Sequence, residues 1–87
     1  MKTELLRMYN ENLIKAVKAD LDGLNRSADF YFGCASGMLT AAYAMHDALG
    51  TETVAKMSRA NELAYDIVAG DVESIEESIW ILENNMA

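Results

Sequence analysis

Carboxylates recur at helical spacing in the second half of this chain. Glu62 with Asp66, and Glu73 with Glu77, each lie four residues apart and share a helix face, the arrangement that metal-binding bundles exploit. A di-iron site of that type needs Glu-x-x-His pairs. The single histidine, His46, has Tyr43 three residues before it, and the paired acids fall opposite the apolar positions of their helices. They read as solvated faces, so no metal or other cofactor is expected. His46 beside Asp47 offers acid-base chemistry, with Cys34 or a serine as nucleophile. On one continuous helix, however, the twelve residues from Cys34 to His46 span roughly 18 Å. The two cannot meet, and no catalytic residue is expected. His46 is read as a residue compatible with a helix C-terminus, or as one hydrogen-bonded near the Gly50 turn. Tyr9, Tyr31, Tyr43 and Tyr65, with Met38, Met45 and Met57, either fill a core or line a small-ligand pocket.

The elements that would position these groups are all helices. The chain has no proline and is rich in residues that favour helix. A first helix opens with Thr3 as N-cap, carries Leu6, Tyr9, Leu13, Val17 and Leu21 on one side, and stops at Gly23. A second, capped by Asn25 or Ser27, runs to Leu49 and ends at Gly50. It contains the stretch from Phe30 to Met45, which carries no formal charge. Apolar on nearly every face, this helix is expected at the centre with neighbours around it, and with Phe30, Cys34, Met38 and Met45 filling the core. Gly33, Gly37 and Ala41 recur every four residues and leave one side without bulk. That side would accept another helix of the fold or a second copy across a dimer seam.

A third helix runs from Thr51 to about Ala69, with Gly70 ending it. Val54, Met57, Ala60, Ala64, Ile67 and Val68 form its apolar face. Asn61 projects near the middle of that face, either bonding at its edge or setting register inside a helix interface. Asp71 is the expected cap of a fourth helix, whose stripe Val72, Ile75, Ile79, Leu82 and Met86 is nearly a heptad. Trp80 and Ile81 fall off that stripe, where they cover an end of the bundle or form a contact patch. The expected fold is therefore all-α: a single domain, residues 1–87, built as a compact bundle of about four helices around a long central one.

Charge narrows the functional classes. Of 87 residues, 52% are apolar and 24% charged, with a net charge of −7. Up to Arg26, five bases face four acids; beyond it two bases face ten acids, and no base follows Arg59. Direct nucleic-acid binding, which requires clustered Lys and Arg, is disfavoured. The single Cys34 excludes an internal disulfide and suggests a buried thiol in a reducing compartment. No signal peptide is evident, and the uncharged stretch of about 16 residues is shorter than the roughly 20 that a membrane span needs. A soluble cytoplasmic protein that does not engage membrane is expected.

What remains is an acidic helical surface with an aromatic anchor. Seven carboxylates without a base would attract the basic groove of a protein that handles nucleic acid. The helix from Tyr31-Phe32-Gly33 to Gly37-Met38-Leu39 in a short acidic chain resembles small helical accessory proteins of bacteriophages. Some of these blunt host defences such as CRISPR nucleases. The resemblance implies a host-directed inhibitor, and it assigns no residue a role. The expectation is a non-enzymatic module that binds a protein partner with a basic surface. Its candidate contacts are Glu62, Asp66, Glu73, Glu76, Glu77, Trp80 and Ile81. The alternative is a small-molecule-binding or purely structural helical homodimer.

Overall fold

Glycine punctuates the chain into helices. In the computed structural model, which describes residues 2–84, α1 is Lys2–Leu21, α2 Asn25–Ala44, α3 His46–Leu49, α4 Thr51–Ala69 and α5 Ile75–Glu83. Gly23 and Gly70 take left-handed φ values of 77° and 78°, a conformation that a Cβ disfavours. Each closes its helix with the paired bonds of a Schellman motif. After α1, Leu24 N–H donates to the Ala19 carbonyl at 2.8 Å and Gly23 N–H to the Asp20 carbonyl at 3.0 Å. After α4, Asp71 N–H donates to the Asp66 carbonyl at 2.8 Å and Gly70 N–H to the Ile67 carbonyl at 3.1 Å. These two helix ends fall where the glycines predict.

The result is an all-α bundle with a Cα radius of gyration of 12.4 Å, close to the roughly 12 Å expected of a compact chain this long. Its hub is α1 and not α2, the helix that carries the uncharged stretch. The first helix packs against α2, α4 and α5, and buries Tyr9, Asn10, Leu13, Ala16, Val17 and Ala19. Met57, Ala60, Ala64 and Ile67 of α4, Leu49 of α3 and Leu82 of α5 complete the core around it.

Helix α2 is a flank. It buries only alanines, Ala28, Ala35 and Ala42, with Phe32, Met38 and Leu39 half-covered beside them. Phe30 is 65% exposed and Met45 46%, so the expectation that these two fill the core is overturned. Cys34 is half-buried rather than enclosed. The expected rod to Leu49 is also interrupted: Met45, at φ −102° and ψ 21°, leaves the helical conformation, and the chain restarts as the single turn of α3. The break turns the chain and brings Leu49 into the core, where it is 3% exposed.

Helix starts follow the sequence less closely than helix ends. Neither Asn25 nor Ser27 caps α2: the cap position is Leu24, with no side-chain hydrogen bond. Thr3 lies inside α1. Asp71 does not cap the last helix either. That role falls to Ser74, whose hydroxyl accepts from Glu77 N–H at 3.2 Å, and α5 begins at Ile75. Ser74 and Glu77 have the spacing of a capping box, three residues apart. Residues 71–74 are thereby left as an irregular link.

Candidate functional site

The acids proposed for contact are all on the surface, on two elements and the link between them. Glu62 and Asp66 are exposed on α4, Glu73 on the 71–74 link, and Glu76 and Glu77 in the first turn of α5. The last two oppose the positive end of the helix dipole, which favours their charge where it stands. Trp80 is 62% exposed and Ile81 46%. Both therefore lie off the core stripe, as their spacing predicts. Trp80 follows Glu76 by four residues and Glu77 by three, so the indole lies one turn beyond the two carboxylates on the same side of α5.

The inner face of α5 explains this outward aim. Leu82 is fully buried, Ser78 8% exposed and Ile79 half-buried, while Ile75 is 42% exposed. The expected stripe is therefore rotated: Ser78 and Leu82, one turn apart, make the contact line, and Ile75 sits at its margin. Met86, the last member of that stripe, lies outside the described residues. The small Ser78 lets α5 approach its neighbours, and Trp80, about 200° around the helix from Leu82, must face away.

The proposed packing side of α2 is open. Gly33, Gly37 and Ala41 are exposed, and a Cβ placed on either glycine would meet nothing within 4 Å. Close packing by a helix of this chain is thus overturned for that stripe. The reason is angular: Ala28, Ala35 and Ala42, seven residues apart, make a second small-residue line on nearly the opposite side of α2, and that line packs against the bundle. Asn61 on α4 is half-buried at the edge of its face, not enclosed as a register-setting residue.

A buried asparagine does occur, at Asn10. Only 2% exposed, it donates from Nδ2 to the Leu82 carbonyl of α5, and its Oδ1 has no partner among the described residues. Its burial has a signal in the spacing of α1. Asn10 lies four residues after Leu6 and three before Leu13, inside the apolar arc of α1. Tyr9 beside it is 1% exposed, and its hydroxyl donates to the Met57 carbonyl at 2.9 Å, tying α1 to α4. Burial pushes the Tyr9 phenol well above its ordinary value, and Tyr43 and Tyr65 add to the shift.

The remaining polar groups serve local structure. His46 Nε2 lies 3.3 Å from Thr51 Oγ1 across the Gly50 turn, and its Nδ1 is 3.8 Å from Asp47, fully in solvent. This matches the reading of a histidine hydrogen-bonded near that turn. The tyrosines other than Tyr9 sit at margins: Tyr65 stacks on Phe32 at 4.7 Å, and Tyr43 pairs through its hydroxyl with Ser58. Among the described residues, no three His, Cys, Asp or Glu side chains gather as metal ligands, and no helix is long and apolar enough to cross a membrane. No family model, curated protein or solved structure matches this chain.

Proposed function

We propose that this protein is a non-enzymatic interaction module that binds a protein partner with a basic surface, through the exposed face of α5 and the neighbouring acids of α4. The observation that carries the reading is Trp80, the one tryptophan of the chain, 62% exposed beside Glu76 and Glu77. An indole left in water by a small helical fold is an anchor in search of a pocket, and carboxylates around it select a basic rim. The resemblance to phage accessory proteins extends the proposal to an inhibitor of a nucleic-acid-handling enzyme of the host, such as a CRISPR nuclease, acting in the cytoplasm.

The experiment is affinity capture on the immobilised protein at low and high salt. It is repeated with Trp80→Ala and with Glu73, Glu76 and Glu77 all changed to Lys. Binding that weakens with salt and is lost in both variants supports the reading. Unchanged capture by the charge-reversed variant sinks its electrostatic part. Trp80 fluorescence gives a second readout, shifting to the blue when a captured partner buries the indole.

A second reading, self-association through α2, is favoured by a different observation. Phe30, Gly33, Gly37, Ala41 and Ala44 are exposed and share one uncharged side of that helix. Sedimentation over a range of concentration tests it. A mass that stays monomeric, or a dimer unaffected by Gly37→Arg, counts against it.

A further inference from the structure

Where α1 meets the end of α5, a cleft of about 280 Å³ opens between Arg7, Asn10, Glu11, Ile14 and Glu83. At about 30 Å³ per water it is large enough for a small organic group. Four of its residues, at positions 7, 10, 11 and 14, form one continuous arc of α1, and the fifth closes α5. Arg7, Glu11 and Glu83 are exposed at the rim, Ile14 is half-buried on the wall, and Asn10 is the buried residue of the set.

The chemistry of this cleft is lopsided. Its acceptors are the Glu11 and Glu83 carboxylates and the Asn10 Oδ1, which has no hydrogen-bond partner among the described residues. Such a buried, unsatisfied oxygen is unfavourable, and an entering N–H donor would satisfy it. The C-terminal end of α5 adds partial negative charge, and no basic residue stands in its last turn. Against these acceptors stand two cations already engaged. Arg7 holds Glu11 Oε1 at 2.9 Å, and Lys18, from the next turns of α1, reaches Glu83 only at 3.8 Å with both side chains half-exposed. A pair that long and wet contributes little and is easily displaced.

We propose that this cleft is a binding site for a single protonated amine or guanidinium group. The cation lies between Glu11 and Glu83, an N–H donates to Asn10 Oδ1, and the alkyl stem lies along Ile14. The group arrives either on a free alkylamine or as a lysine or arginine side chain of another polypeptide. Glu83 follows Trp80 by three residues on α5, so the cleft borders the face proposed for partner binding, but its other lining residues all belong to α1.

The test is a titration of the full-length, ¹⁵N-labelled protein with n-butylammonium chloride, with n-butanol as the neutral control, and with a capped Ala-Ala-Lys-Ala-Ala peptide. Saturable shifts are expected at the Asn10 side-chain NH₂ and the Glu11, Ile14 and Glu83 amides, with the ammonium and the peptide but not with butanol. Glu83→Gln, a change at an exposed position, is expected to weaken binding about five-fold. Asn10→Asp, if folded, tightens it. A peptide that binds ten-fold more tightly than butylammonium identifies a polypeptide side chain as the ligand; equal affinities identify a free amine. Shifts that fail to saturate, that are equal for butanol, or that are indifferent to Glu83→Gln overturn the proposal. Reversing the charges of Glu73, Glu76 and Glu77 leaves these shifts in place, which separates this site from the surface proposed above.

Discussion

Helices α1 and α2 are both twenty residues long and lie side by side, yet they occupy opposite roles. The first bears lysines, acids and asparagines along its length and is the hub of the bundle. The second carries no charge from Phe30 to its end and has one whole side in solvent. Overall apolarity did not decide which went to the centre. The first has large side chains, Tyr9, Leu13 and Val17, on a consistent arc, so it can contact α2, α4 and α5 together. On α2 the apolar residues are spread around the helix, and its contact line is made of alanines. A helix with no polar side can be buried, but the fold must supply neighbours for every face. This chain has too few helices to do so.

The contrast can be broken or sharpened by substitution, with urea unfolding as the measure throughout. Leu13→Ala, at the fully buried centre of α1, is expected to cost about 3 kcal/mol, whereas Phe30→Ala on α2 should cost under about 0.5 kcal/mol. Equal effects would mean that the outer side of α2 is covered in solution. Ala35→Leu, which overfills the line between α2 and α1, should cost about 2 kcal/mol.

Tyr9→Phe is expected to cost about 1 kcal/mol through loss of the bond to Met57. The same phenol sets a pH dependence. Because its folded-state affinity for the proton is raised above the unfolded value of 10.0, its contribution is whole below about pH 10 and is lost as pH climbs beyond it. Stability measured from pH 9 to 11 should fall more steeply in the wild type than in Tyr9→Phe.

The smallest effects distinguish glycines by place. Gly37→Ala, with open space before its Cβ and an ordinary helical backbone, should stabilise by roughly 0.5–1 kcal/mol. Gly23→Ala, at φ 77°, should destabilise by about 1 kcal/mol. If Gly37→Ala proved destabilising instead, a partner packed against that stripe would be the explanation, and the self-association reading would gain.

Some of this was legible residue by residue. Gly23 and Gly70 mark helix ends because the left-handed conformation they adopt is costly for any side chain with a Cβ. Leu13, Met57 and Leu82 read as core because their spacing holds them on one side of a helix. Trp80 and Ile81 read as off-stripe for the same reason. Other features were ambiguous in one dimension. Asp71 and Ser74 are both sound cap residues, and α5 starts at the second because that register brings Ser78 and Leu82 inward. Asn10 shares an arc with Leu6 and Leu13, but whether it is buried depends on α5 arriving above it.

The amino-acid sequence by itself determined that the chain is helical, where two of its helices end, which faces are amphipathic, and that acid dominates its second half. These follow from local conformational preference and from periodicity, and both act within one element. Tertiary structure alone decided that α1 is the hub and α2 the flank, that the alanine line and not the glycine line of α2 makes contact, and that Asn10 and Glu83 come to share a cleft. Each of those depends on which neighbours compete for a limited buried surface, a property of the assembled helices and of no single one.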